Sequence, residues 1–200
     1  MPSRNTPPPA APTDAGSPRR AELLASAYAY AIEHGLADLS LRPLAAATGT
    51  SPRVLLYLFG SKDGLVREIL ARGRQEQLAF VHRLAAEPVE PSADRYPHVV
   101  DRLWQWASAP RRRGLIRLFF EAYTRSVAPE PGPWRGYAEQ SIQDIVDVLV
   151  AAQPDVPPER AVARATQTLA LLRGLLLHLL ARGDRQQLGR LLRDAVRAGL

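Results

Sequence analysis

From residue 17 onward the hydrophobic positions recur at three- and four-residue spacing almost without interruption, and no segment alternates apolar and polar residues as a strand would. The pattern predicts an all-α protein. A first helix is expected over about 19–34, with Leu24, Ala27, Ala31 and Ile32 on one stripe and Gly35 as its stop. A short second helix follows Ser40, a good N-cap residue, and holds Leu41, Leu44 and Ala45 before Gly49. Pro43 falls in its first turn, where the missing N–H has no partner to lose. A third short helix opens at Thr50 or Ser51, with Pro52 at an early position, and ends near Phe59 and Gly60. Ser61 then caps a long fourth helix to about residue 85. Prolines delimit the rest into helices over about 97–109, 112–127, 134–152, 158–182 and 184–198, about nine in all. Their short connections predict an antiparallel bundle, and there is no internal repeat. Residues 1–16 carry five prolines among Ala, Ser and Thr and have almost nothing to bury, so they are expected to form a disordered tail.

Residues 40–59 are the informative stretch. Two short helices joined by a tight turn at Gly49, each with few apolar anchors, make the pattern of a helix-turn-helix. Leu41, Leu44, Ala45, Leu55 and Phe59 can pin both helices against the first, which leaves Ser51, Pro52, Arg53 and Tyr57 facing outward. An arginine at the start of such a helix can reach guanine in the major groove, and Ser or Thr hydroxyls suit phosphates or base edges. Lys62 stands at the first position of the next helix, where the macrodipole disfavours a cation. Helix stability does not explain it, whereas the free N–H groups of that terminus and the ammonium together would clamp a phosphate.

Composition narrows the alternatives. Without cysteine there is no disulfide framework, thiolate metal site or cysteine nucleophile. His34, His82, His98 and His178 are never at metal-binding helical spacing, and no metal or other cofactor is expected. The N-terminus lacks the apolar core of a secretory signal, and the greasiest stretch, 169–181, is too short to span a bilayer and is broken by Arg173 and His178. A soluble, cytoplasmic protein is expected. The net charge of +6 favours a polyanionic partner. It does not locate one: residues 18–62 hold five basic groups against three acidic, and 154–200 hold eight arginines against four acids. The use of 25 arginines and the single lysine Lys62 most simply reflects a GC-rich genome.

The stretch LSLRPLAAATGTSPRVLLYLFGSKDGL, residues 39–65, resembles the signature of TetR-family transcriptional regulators. That signature has an arginine early in helix two, a glycine turn, a short recognition helix ending in an aromatic cluster, and Ser-Lys-Asp/Glu-x-Leu opening helix four. The resemblance covers about 17–77 and implies an N-terminal three-helix DNA-binding domain there, with the helix-turn-helix at about 40–59. A helical-bundle domain for ligand binding and dimerisation would then occupy 78–200. It implies that Arg42 contacts a base or phosphate, that Thr50, Ser51, Pro52 and Arg53 open the recognition helix, and that Lys62 grips a phosphate. Two positions depart from the family pattern. Leu56 stands where it usually has tyrosine and Leu58 where it often has histidine, so Tyr57 is the one aromatic hydroxyl left to reach a phosphate.

The expected activity is that of a ligand-responsive repressor which binds an inverted-repeat operator in double-stranded DNA as a homodimer. On helix 158–182 a stripe of Val162, Ala165, Leu169, Leu172, Leu176 and Leu179, and on 184–198 one of Leu188, Leu191, Leu192, Ala195 and Val196, are long enough both to cover a core and to pair with a second copy. All three tryptophans lie within 98–137 together with Phe119, Phe120, Tyr123 and Tyr137. From these, Trp104, Phe120, Tyr123 and Trp134 are taken as walls of a small-molecule effector pocket, with Arg117, Glu121 or Arg125 as polar contacts. Arg111, Arg112 and Arg113 read as a charged loop; Arg4, Arg19 and Arg20 offer an arm for the minor groove, but a tail this rich in proline is usually idle. Two rivals remain: a helical enzyme, against which stands the lack of any glycine-rich phosphate loop or Ser-His-Asp order, and a protein-binding adaptor, which leaves Lys62 unexplained.

Overall fold

Nine α-helices and two 3₁₀ turns make up the regular structure of the described residues, 18–36, 38–88 and 94–200, of the computed structural model. The tail over 1–16, with Arg4, lies outside them. In chain order the helices are α1 (Pro18–His34), α2 (Leu41–Ala47), α3 (Pro52–Phe59), α4 (Lys62–Ala86), α5 (Arg95–Ala107), α6 (Arg113–Ser126), α7 (Tyr137–Ala151), α8 (Pro158–Arg182) and α9 (Arg185–Arg197). Among the described residues there is no strand.

Local chemistry sets most of the ends. Ser51 and Ser61 accept hydrogen bonds from Val54 N and Gly64 N, 3.3 and 2.9 Å, and so cap α3 and α4. Ser40 occupies the cap position of α2 without a side-chain cap bond. Helix α7 begins later than the spacing predicts, because Pro133 sits inside a 3₁₀ turn, Gly132–Trp134, and Gly136 breaks the helical path before Tyr137.

The buried side chains form two clusters. One joins α1 to α4 through Leu23, Ala27, Leu44, Leu55, Leu65 and Ile69, and it extends under Leu118, Ala122 and Trp134. The other fills the body between α4, α5, α7, α8 and α9, with Tyr96, Leu103, Trp104, Leu149, Leu169 and Leu192 among its members. Helix α4 contributes to both, with its N-terminal half in the first cluster and Phe80, Val81 and Leu84 in the second. Most of the expected α8 and α9 stripes (Ala165, Leu169, Leu172 and Leu176; Leu188, Leu192 and Val196) are consumed by the protomer's own core. Two stripe members stay outside, Val162 and Leu191, 47% and 52% exposed, and Leu177 of α8, 50% exposed, lies on a face with the exposed small residues Ala163, Ala170, Gly174 and Ala181.

Candidate nucleic-acid interface and effector cavity

Helices α2 and α3 turn about Gly49, whose φ of +63° is left-handed and suits a residue without a Cβ. Leu44, Ala45, Leu55 and Phe59 are buried beneath the pair. With Leu55 and Phe59 inward, the opposite face of α3 carries Arg53, Leu56 and Tyr57 at three- and four-residue spacing. All three are exposed, Leu56 at 41% and Tyr57 at 69%. Arg42 on α2 and Ser51 at the α3 cap are exposed as well, while Thr50 and Pro52 are half-buried. Lys62 is exposed at the first position of α4, and Asp63 beside it offsets the dipole of that terminus. Leu58 is turned partly inward, and its carbonyl accepts from Arg20 Nε at 3.4 Å. Arg20 also binds Glu68 at 2.6 Å and lies 5.0 Å from the centroid of the Phe59 ring, so it braces the domain instead of serving as a loose arm. Arg19 pairs with Glu22.

Helix α6 fastens this domain to the body. Both carboxylate oxygens of Glu121 accept from Leu36 N, at 3.0 and 3.1 Å. Arg117 donates to the Ile32 and Glu33 carbonyls at the end of α1. At Gly114 the backbones nearly touch: a Cβ there would lie 2.5 Å from the Ile32 oxygen. Glu121 and Arg117, expected as ligand contacts, are thus spent on α1.

A second link runs through Arg112, which is half-buried in a 3₁₀ turn, Pro110–Arg112, and not in a loose charged loop. Its guanidinium donates to Glu76 Oε1 at 2.6 Å and lies 4.1 Å from the ring centroid of Trp106. Glu76 Oε2 accepts from the Tyr28 hydroxyl at 2.9 Å. Burial raises the Glu76 carboxyl, but hydrogen bonds from Arg112 and Tyr28 overcome it and hold the group below its ordinary value.

A narrow, mostly apolar cavity of about 60 Å³ lies between α4, α5, α6, α7 and α8, lined by Phe80, Trp106, Ile116, Phe119, Ile145 and Arg173 among others. That is room for a few waters, well short of the ~300–1,000 Å³ of ordinary ligand pockets. The four aromatic residues expected as its walls do not gather there. Trp104 is buried in the body core, its indole against Gly189 of α9, and Trp134 belongs to the α1–α4 core. Phe120 packs on the edge of the body core. Tyr123 comes near the cavity through Arg173, whose guanidinium carbon lies 4.8 Å from its ring centroid. Arg125, the remaining expected contact, lies over the Trp134 ring. Trp106 and Phe119, members of the same aromatic segment, do line the cavity. Sequence reasoning treated Arg173 only as an interruption of a greasy stretch; a lone charge on the core side of α8, one residue after Leu172, was the available signal. Among the described residues no group of three His, Asp or Glu could hold a metal ion.

Helix α3 with its outer face open to solvent, a cation at the next helix start and apolar anchors beneath make the arrangement of a helix-turn-helix. Residues 23–69 match the family model for bacterial regulatory proteins of the tetR family. The whole fold is that of solved relatives. A TetR transcription regulator from Haloarcula marismortui superposes with a TM-score of 0.72 at 20% identity, over 90% of this chain and 95% of that one. A transcriptional regulator from Rhodococcus sp. Rha1 gives 0.71 at 20%, over 88% and 92%. The multidrug binding protein EbrR, solved with imidazole, gives 0.63 at 25%, over 90% and 91%. Comparison with curated proteins by sequence gives no match. No helix among the described residues is long and apolar enough to cross a membrane.

Proposed function

We propose that the protein is a cytoplasmic, ligand-responsive repressor that binds an inverted-repeat operator as a homodimer, without catalysing a reaction. The observation that carries this is the open face of α3 (Arg53, Leu56 and Tyr57) next to the unburied Lys62. Arg53, Ser51 and Thr50 read or approach bases, Pro52 sets the start of the helix, and Arg42, Tyr57 and Lys62 hold the sugar–phosphate chain. One helix this short reads only a few base pairs. Two copies, one helical turn or a multiple apart, read a two-fold site. The exposed Leu177, flanked by small residues of α8, and the exposed Leu191 of α9 support pairing of α8 and α9 with their copies.

The effector is a small molecule, a class of ligand that the multidrug binding protein EbrR holds in its complex with imidazole. Its site here is the cavity lined by Phe80, Trp106 and Phe119, with Tyr123 near it through Arg173, Phe120 at the edge of the body core and Trp104 and Trp134 in the supporting cores. A slot this small must widen to admit a ligand, and α6, which forms part of its wall, is bonded to the end of α1. An effector that favours the widened state shifts the spacing of the two recognition helices; a coupling of about 1–3 kcal/mol weakens operator binding about 5–150-fold. Selection of bound duplexes from a random pool tests the reading. A two-fold symmetric consensus is expected, and an asymmetric site or no enrichment would refute it.

A further inference from the structure

Arg173 is the one charged side chain in the wall of the cavity. Its guanidinium donates to Ser141 Oγ at 3.0 Å and lies 4.8 Å from the Tyr123 ring centroid and 5.4 Å from that of Phe119. Among the described residues no carboxylate comes within 4.0 Å of it. Arg20, Arg74 and Arg112, also drawn between helices, each reach an acid at 2.6–2.9 Å. Asp144, one turn along α7 from Ser141, is held on both oxygens by Arg74, at 2.9 Å each. Burial pushes the Tyr137 phenol up to about 12, so this neighbour is neutral at physiological pH and supplies no counter-charge. Burial also lowers the Arg173 guanidinium from its ordinary value, but an arginine keeps its proton in a protein.

A partly buried cation without a carboxylate partner is costly, and the same cavity has an unmet donor. The indole Nε1 of Trp106 is buried with no acceptor among the described residues. The rest of the wall is apolar apart from Gln77 and Ser141. The site is therefore short of acceptors and of negative charge, and rich in surface for a hydrocarbon or aromatic body. We infer that the cavity takes a monoanionic organic carboxylate, its charged end paired with the Arg173 guanidinium and its apolar body against Phe80, Ile145 and Leu172. A planar guanidinium matches the two oxygens of a carboxylate. A phosphate dianion would need a second cation, and the wall holds one.

This rests on the cavity being the effector site, so the experiment separates the two claims. Isothermal titration compares 4-phenylbutyrate, its amide and 4-phenylbutylamine on the full chain, on Arg173→Met and on Arg173→Lys. The acid is expected to bind the parent protein about 10–100-fold tighter than the amide, as for a charge-assisted hydrogen bond out of bulk water. That ratio should fall to within about twofold in Arg173→Met and persist in part in Arg173→Lys. Equal binding of amide or amine to the parent protein, or a preference for the acid that survives in Arg173→Met, overturns the carboxylate assignment and leaves the effector site standing. No binding by any of the three overturns both. Should Arg173→Met not fold, the acid-to-amide ratio of the parent protein and of Arg173→Lys still decides. A failure of operator recognition is read separately, in the duplex selection.

Discussion

Lys62→Ala removes one cation per protomer from the start of α4 while leaving the neighbouring interface in place. Lys62 is exposed and has no ion pair or hydrogen bond among the described residues. Its ammonium sits at the positive end of the α4 dipole. Its loss should therefore leave folding unchanged or stabilise it by up to about 1 kcal/mol, a rise in Tm of no more than about 4 °C. On DNA the effect is opposite. Each phosphate neutralised contributes about −0.9 to the slope of log affinity against log salt, so a two-fold complex with two lysines removed should be shallower by about 1.8. Between about 50 and 200 mM salt the parent protein should then lose roughly tenfold more affinity than the variant. Fluorescence anisotropy across a salt series, on the selected duplex and on a scrambled one, makes the measurement. The slope change should be the same on both duplexes. An unchanged slope, or a loss confined to the selected sequence, would refute the assignment of Lys62 to a phosphate.

Other outcomes follow from the contacts within the fold. Glu121→Ala should cost about 1.5–3 kcal/mol by leaving Leu36 N without its charged acceptor, read as a lower Tm and faster exchange of that amide, whereas Glu121→Gln should recover part of it. The Glu76 carboxyl is held below its ordinary 4.5 in the folded chain, so its contribution is present above that value and is lost as pH falls through the lower folded value. Tm should accordingly drop less between about pH 5 and 3 in Glu76→Gln than in the parent protein. Gly174→Glu fits the protomer, since a Cβ there meets nothing within 4 Å. It puts a charge into the small-residue face of α8, so light scattering should report monomer and operator affinity should fall; an intact dimer would contradict the α8–α9 pairing.

Much of the fold was legible because its punctuation is local. Ser51, Ser61, Pro52 and Pro158 act within one turn of themselves, and the helix limits they imply are those observed to within a residue or two. Where two signals compete, as at Pro133 and Gly136, spacing alone merges a 3₁₀ turn with the helix behind it. The outward face of α3 was legible for a similar reason, since two anchors, Leu55 and Phe59, fix its rotation. The cavity was not. Which aromatic residue lines it depends on the rotation of five helices relative to one another, and in the pair Phe119 and Phe120 only the first does. Long-range partners are equally invisible in the chain order. Glu76 lies 36 residues before Arg112 and draws it out of an apparent surface triplet into a half-buried link, and Glu121 lies 85 residues after the amide it serves.

The contact at Gly114 has a consequence for how motion can pass through the molecule. Where side chains separate two helices, a small displacement of one is absorbed by rotamer changes before the other responds. Between Gly114 and Ile32 that cushion is thin, because residue 114 has no side chain and only the Ile32 oxygen and its Cγ2 methyl face it. The seam resembles a hinge pin with little play, so a shift of α6 is expected to carry the end of α1 with it.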